Sequence, residues 1–141
     1  SNRSLPVRFK WWEVLDGAGR KMHPSRILII DPDVELAENL IQRLVAGGYR
    51  ALAVGSGQEG LAVVLAEPPD VLLLDVQIQD MDALDALDRL RDHAPRMRII
   101  CLIGHGASVT GIEAMEGGAF DFLDKPLDVG LLLEKITAVV Q

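Results

Sequence analysis

The sequence predicts an α/β fold, a doubly wound parallel sheet of five strands with helices on both faces. From residue 26 onward, five short and nearly all-apolar runs alternate with five amphipathic runs of helical length. Continuous apolar runs are typical of strands that are covered on both faces, as they are in parallel sheets. Five such units in roughly 115 residues indicate parallel strands joined by right-handed crossovers.

The first two strand–helix units are bounded by capping and stop signals. A strand over 26–31 precedes a helix over 34–45, whose apolar side chains share one face and which ends at glycines 47–48. After a strand over 51–54, a serine and a glutamate at capping-box spacing open a helix over 56–66, which ends before two prolines. These signals predict two complete units in the first half of the chain.

The other three units show the same alternation. In chain order the predicted segments are strand 71–75, helix 82–93, strand 98–103, helix 108–115, strand 119–123 and a helix from 128 to the chain end. Paired glycines end the fourth helix, and an aspartate at 128 is placed to cap the last one. The sequence contains no further repeat and no low-complexity segment.

Length and composition indicate one globular domain. The chain has 141 residues, of which 49% are hydrophobic and 25% charged. No apolar run approaches the ~18–20 residues that span a bilayer, and the first residues lack the apolar stretch of a signal peptide. The single cysteine, Cys101, excludes an internal disulfide and is expected to be a buried structural thiol. We therefore expect a cytoplasmic protein.

Charge divides the chain near residue 21. Residues 1–21 carry five basic and two acidic side chains and half of the six aromatic residues, whereas the remaining 120 residues carry nine basic and 19 acidic side chains. A body with a net charge of about −10 repels phosphate backbones, so direct nucleic-acid binding is not expected. We interpret 1–21 as an extension, either a linker, an appended arm or non-native sequence, and 22–141 as the domain.

Polar residues stand where three of the predicted strands end. Asp31 and Asp33 follow the first strand, Asp75 ends the third, and Lys125 follows the fifth. Because parallel strands bring their carboxyl ends to one edge of the sheet, these side chains are expected to lie close together. Carboxylates hold Mg²⁺ and a lysine neutralises phosphate, so the pattern predicts a metal and phosphate site. A carboxylate there can also act as a nucleophile.

The body resembles the receiver domain of two-component response regulators over about residues 26–140. The motifs that carry the resemblance are ILIIDPD, LLLDVQIQDMDALD and GAFDFLDKPLD. It implies a flavodoxin-like three-layer sandwich with strand order 2-1-3-4-5. It also implies a phosphorelay function, in which a histidine kinase or phosphotransfer protein donates a phosphoryl group and the domain shifts conformation to regulate an output domain or partner.

The resemblance assigns roles to individual residues. Asp75 matches the phosphoacceptor and Lys125 the lysine that contacts the phosphoryl group. Asp31, Asp75 and the backbone carbonyl of Gln77 match the Mg²⁺ ligands. The bond between Lys125 and Pro126 is expected to be cis, as in receivers. A homodimer through the face of the fourth helix, fifth strand and fifth helix is a further expectation.

Two departures from the family pattern bear on function. The second metal-binding acid is replaced by Pro32, which offers no side-chain ligand. Asp33, one residue further along, is the alternative metal ligand, although neighbouring side chains at a strand end point in different directions. The hydroxyl-bearing residue that ends the fourth strand falls at Ile103, which cannot hydrogen-bond a phosphoryl oxygen. Phe122 matches the switch aromatic of the fifth strand, without the hydroxyl of the more frequent tyrosine.

These departures leave two hypotheses. Loss of one carboxylate costs a Mg²⁺ site ~1.5–3 kcal/mol, or ~10–150-fold in affinity, which weakens phosphorylation without abolishing it. The first hypothesis is therefore an atypical receiver with weakened Mg²⁺ binding and altered switching. The second is a pseudo-receiver that binds protein partners without phosphorylation. An enzyme is not expected, because nucleotide-binding and hydrolase loops are missing and the three histidines, including His105, lack metal-binding spacing.

Overall fold

The computed structural model describes residues 14–15, 21–22 and 25–140, with side chains from residue 25 onward. Before the main body, β1 (Val14–Leu15) and β2 (Lys21–Met22) form an antiparallel ribbon that crosses the expected boundary at residue 21. The rest of the segment that we interpret as an extension lies outside the described residues.

Five parallel strands form the central sheet, as predicted. They are β3 (Arg26–Ile30), β4 (Arg50–Val54), β5 (Val71–Asp75), β6 (Arg98–Ile103) and β7 (Asp121–Asp124). Their order in the sheet is β4-β3-β5-β6-β7, which confirms the order 2-1-3-4-5 once the two ribbon strands are set aside. The register aligns Asp75 with Leu102 and Ile103 with Asp124, so the ends of β5, β6 and β7 lie at the same edge.

Four helices connect the strands of the sheet, and a fifth follows the last strand. They are α1 (Val34–Ala46), α2 (Gly57–Ala66), α3 (Ala83–His93), α4 (Gly111–Glu116) and α5 (Val129–Val140). The predicted caps are present: the Ser56 side chain accepts the Glu59 N–H at 3.1 Å, and Asp128 accepts the Leu131 N–H at 3.1 Å.

Two predicted starts of elements were wrong by more than one residue. Helix α4 begins at 111 and not at 108, because Thr110 and Glu113 form a capping box that the sequence analysis did not identify. Strand β7 begins at 121 and not at 119, because the Ala119 N–H still closes the end of α4 on Ala114 O at 3.0 Å. Both shifts follow from local hydrogen bonds and leave the topology unchanged.

The sheet separates two apolar layers. Side chains of even-numbered residues in β3 and β5, such as Leu28 and Leu72, pack with α2, α3 and α4. The neighbouring odd-numbered residues, such as Ile29 and Leu73, pack with α1 and α5. The two-residue period of a strand produces this division, and burial of both faces explains the uninterrupted apolar runs. Cys101 is buried in the first layer, as predicted, and burial raises its pKa to about 12.

Candidate functional site

The ends of three strands bring two aspartates and a lysine together. Asp31 follows β3, Asp75 ends β5 and Lys125 follows β7. Among residues 25–140, Asp31 and Asp75 are the buried charged residues, with 1% and 2% of their surfaces exposed. The peptide bond between Lys125 and Pro126 is cis, as the resemblance implied.

Every carboxylate oxygen of the pair has a hydrogen-bond donor. The Lys125 Nζ lies 2.8 Å from Asp31 Oδ2 and 3.2 Å from Asp75 Oδ2. The remaining oxygens accept backbone N–H groups two residues further on, from Asp33 to Asp31 Oδ1 at 2.8 Å and from Gln77 to Asp75 Oδ1 at 2.9 Å. Two buried negative charges are tolerated because a shared cation and two amides replace water.

Burial and hydrogen bonding have opposite effects on the pKa values of Asp31 and Lys125. Burial raises the pKa of Asp31, and the nearby Asp75 adds to that effect, while the hydrogen bonds from Lys125 and Asp33 oppose it without cancelling it. For Lys125, burial alone would lower the pKa, but the contacts with Asp31 and Asp75 outweigh it and raise it. Lys125 is therefore a cation at neutral pH, and the cluster carries a net charge of −1 when both carboxylates are ionised.

The donor set fits a hard divalent cation only in part. Two carboxylates and a nearby backbone carbonyl are the oxygen ligands that Mg²⁺ prefers. Pro32 is exposed and adds no ligand. Asp33 is exposed as well, and its Oδ1 accepts the Leu36 N–H at 3.1 Å as the N-cap of α1. In the part of the chain that the structure describes, no group of three His, Cys, Asp or Glu side chains is arranged to hold a metal.

The end of β6 presents an apolar residue to the site. Ile103 is 8% exposed and belongs to the same apolar layer as Val109. Phe122 packs against this layer from β7, and its ring lies so close to Gly111 that a Cβ at that position would overlap the ring. The aromatic ring thus connects β7 to the first residue of α4. His105 is exposed beside the site, in a groove of about 380 Å³ that Lys125 also lines.

One feature near the site was missed by the sequence analysis. The Asp80 carboxylate, in the loop after β5, accepts the N–H groups of Gly57 at 2.8 Å and Gln58 at 2.9 Å at the start of α2. Met81 packs over Gly57 so closely that a Cβ there would lie 2.7 Å from its sulfur. These contacts fix the loop that follows Asp75 to α2, and the hydrogen bond to Gly57 joins residues 23 positions apart.

We expect Asp80→Ala to lower the free energy of unfolding by about 1 kcal/mol, the usual value of an N-terminal helix cap. Burial would raise the pKa of Asp80, but the amide hydrogen bonds outweigh it and lower the pKa from its ordinary 3.8. The stabilisation is therefore complete above that pH and is lost as the pH falls below it. Urea denaturation at pH 7 and pH 3 measures both effects. Asp88→Ala, an exposed site in α3, is the control, and an equal loss in both variants would contradict the prediction.

Together the fold and the cluster define a class of doubly wound α/β domain with an acidic site at the carboxyl edge of its sheet. The family model described as "Response regulator receiver domain" matches residues 27–137. The chain therefore belongs to the response regulator receiver domain family, which acts in two-component signalling and is not an enzyme family.

Individual relatives agree with this assignment. The chain is 33% identical over 113 residues to the transcriptional regulatory protein GlrR of Escherichia coli K12. The aligned region covers 80% of this chain and 26% of GlrR. The chain is 31% identical over 112 residues to the photosynthetic apparatus regulatory protein RegA of Cereibacter sphaeroides, covering 79% of this chain and 61% of RegA. The chain thus spans a quarter of GlrR and less than two thirds of RegA.

Solved structures show the same architecture. A receiver domain protein from Methanospirillum hungatei JF-1 superposes with a TM-score of 0.76 at 29% identity, covering 82% of this chain and 92% of that one. A receiver domain protein from Clostridium thermocellum gives 0.76 at 30% identity, covering 82% and 94%. In residues 25–140 no helix is long and apolar enough to cross a membrane.

Proposed function

We propose that Asp75 accepts a phosphoryl group from the phosphohistidine of a histidine kinase or phosphotransfer protein. The observation that supports this proposal most directly is the contact of its buried carboxylate with the Lys125 ammonium at 3.2 Å, beside Asp31. A carboxylate held by a cation and one amide is fixed in position as a nucleophile. Receiver domains interact with histidine kinases and output domains, and this role agrees with that family property.

The reaction is a transfer of the phosphoryl group between two protein side chains. An oxygen of Asp75 forms a bond to phosphorus, the phosphorus–nitrogen bond of the donor breaks, and the bonding electron pair remains on the donor imidazole. The product is an acyl phosphate on Asp75. Lys125 is placed to pair with the transferred phosphoryl oxygens, since its ammonium already contacts the acceptor carboxylate. Mg²⁺, when bound, offsets the phosphoryl charge, and Asp31, Asp75 and the Gln77 carbonyl would hold it.

Two positions make this receiver atypical in the proposal. Pro32 removes one carboxylate, which weakens Mg²⁺ binding, and Asp33 is a poor substitute because its carboxylate caps α1. Ile103 removes the hydroxyl that would follow the phosphoryl group, so movement of Phe122 is not linked to phosphorylation through that hydrogen bond. Phosphorylation at Asp75 is expected to be weaker, and its effect on conformation different, from those of a typical receiver.

A second candidate function rests on the same contacts. Lys125 already pairs with both buried carboxylates, so the cluster is satisfied without metal or phosphate. A domain in that state can act as a pseudo-receiver that binds an output domain or partner protein constitutively. The face formed by α4, β7 and α5, which includes the exposed Ile112 of α4, is the proposed surface for a partner or a homodimer. The acidic body is not proposed to bind nucleic acid, and residues 1–21 remain proposed as an extension.

Intact-mass analysis with a small acyl phosphate as donor distinguishes the two functions. We expect the unmodified chain to gain one phosphoryl mass at high Mg²⁺, and Asp75→Asn to gain none, because it lacks the nucleophile. Asp92→Asn, an exposed position at the end of α3, is the control and should behave as the unmodified chain does. Absence of the adduct from a folded chain at high Mg²⁺ would overturn the phosphoacceptor proposal and favour the pseudo-receiver.

A further inference from the structure

Gln77 lies two residues after the proposed phosphoacceptor, Asp75. Its proposed role as a metal ligand uses the backbone carbonyl and leaves the side chain without a role. Gln77 follows β5 by two residues, and its backbone N–H donates to Asp75 Oδ1 at 2.9 Å. The proposed metal ligand is its backbone carbonyl, so the side-chain carboxamide is available for another contact. That side chain is exposed at the edge of the sheet where the phosphoryl group would enter.

The carboxamide reaches across to the end of the neighbouring strand. A Cβ built on Gly104, the residue after β6, would overlap the Gln77 Oε1 and would lie 3.3 Å from its Cδ. The same point is 3.8 Å from Cδ of Lys125. The Gln77 carboxamide thus lies against the α-carbon of Gly104, next to the stem of the lysine that contacts Asp75. Any larger residue at position 104 would displace it.

The chemistry of a carboxamide matches what this strand end lacks. Ile103, directly before Gly104, is apolar and offers phosphate no hydrogen bond. The oxygen and the NH₂ group of a glutamine exchange places by rotation about its last torsion, and the NH₂ group carries two donors. On the proposed function, we infer that the Gln77 side-chain NH₂ donates to the phosphoryl group on Asp75, in place of the hydroxyl that β6 does not provide. Gly104 is the residue that makes room for it.

Two substitutions remove this contact by different routes. Gln77→Ala deletes the carboxamide and keeps the backbone carbonyl. Gly104→Ala leaves Gln77 intact and displaces its flexible end, a change that the fold tolerates because the glycine has no positive φ and the overlapping atom belongs to a mobile side chain. Gln79→Ala removes the same chemical group from the same exposed loop and is the matched control.

The test measures the rate of phosphoryl uptake from an acyl phosphate by intact mass. Loss of a hydrogen bond to a charged group predicts uptake about 10-fold slower in both Gln77→Ala and Gly104→Ala, with Gln79→Ala unchanged. Mg²⁺ affinity, measured by calorimetry without donor, should be the same in Gly104→Ala, Gln79→Ala and the unmodified chain, which separates loss of a phosphoryl contact in Gly104→Ala from damage to the metal site. Equal uptake rates in the unmodified chain and Gln77→Ala would overturn the inference alone.

Nuclear magnetic resonance with a phosphoryl mimic tests the contact directly, because the chemical shifts of the Gln77 side-chain NH₂ group should change only if that group contacts the mimic. Beryllofluoride and Mg²⁺ should shift the side-chain NH₂ resonances of Gln77, identified by their absence in Gln77→Ala, and leave those of Gln79 in place. Resonances of Gln77 that do not shift when the mimic binds would overturn the inference. Failure of the unmodified chain to take up either phosphoryl group or mimic would overturn the proposed function and, with it, this contact.

Discussion

Replacing Lys125 with methionine is expected to lower the free energy of unfolding by about 3 kcal/mol at neutral pH. The substitution keeps an unbranched side chain that is one atom shorter, and it removes the cation that Asp31 and Asp75 share at 2.8 and 3.2 Å. The side chains of both carboxylates are at most 3% exposed, so water cannot replace the ammonium. Removing one partner of a buried ion pair typically costs ~3–5 kcal/mol, and the partial exposure of Lys125 places this case at the lower end.

The pH dependence of that loss has a definite sign. Without the cation, the folded-state pKa of Asp31, already raised by burial, rises further above the ordinary 3.8 of the unfolded chain. The folded state then binds more protons than the unfolded state between those values, so stability increases as the pH falls. Urea denaturation should show a smaller difference between Lys125→Met and the unmodified chain at pH 5 than at pH 7.5. Added Mg²⁺ should also restore part of the stability, because it binds the folded carboxylates.

A second lysine in the same structure provides the control. Lys135 pairs with Asp121 at 2.6 Å, but both side chains are a quarter or more exposed. Exposed pairs contribute ~0–1 kcal/mol, so Lys135→Met should cost less than about 1 kcal/mol and respond little to Mg²⁺. A loss in Lys125→Met no larger than in Lys135→Met would show that the buried carboxylates do not depend on their cation.

The fold could be predicted from the sequence because strands that are buried on both faces consist almost entirely of apolar residues. Ile27 to Ile30 have no exposed surface, and neither do Val71 to Leu74, so a continuous apolar run is sufficient to identify β3 and β5. Glycine and proline residues between the apolar runs then indicate where the helices end. The predicted starts of α4 and β7 were wrong because a few local hydrogen bonds determine them. The Thr110 capping box places the start of α4 at residue 111, and the hydrogen bond from Ala119 to Ala114 places residue 119 in the turn before β7.

The part of the site that could be predicted is the part formed by residues at the ends of neighbouring strands. Asp31, Asp75 and Lys125 are each at the end of a strand, and the topology alone brings them to one edge. The contacts made by side chains of the loops were not predictable. Asp80 contacts the start of α2, and the Gln77 carboxamide lies against Gly104, the residue after β6. Both contacts depend on loop conformations that no periodic pattern encodes.

Changing Pro32 to aspartate is expected to raise the affinity for Mg²⁺ by about 10–150-fold, the value of one charge-assisted contact. The residue follows the buried Asp31 directly and is itself exposed, so a carboxylate there can reach the metal ligands without entering the core. Its charge adds to the existing −1 of the cluster and strengthens attraction for a divalent cation. Calorimetric titration with Mg²⁺ measures the change.

Proline also restricts the backbone at this position, so a gain in affinity requires a control for the removal of the ring. Pro32→Asn releases the backbone in the same way and adds a neutral side chain of the same shape. We expect its affinity to lie within about 3-fold of the unmodified chain, since a neutral amide lacks the charge that accounts for most of the contact. If Pro32→Asn gained as much as Pro32→Asp, the weakness of the metal site would lie in the rigidity of proline and not in the missing charge. In that case Asp33, released from its cap on α1, would be the ligand to test next, by Asp33→Asn in the Pro32→Asn background.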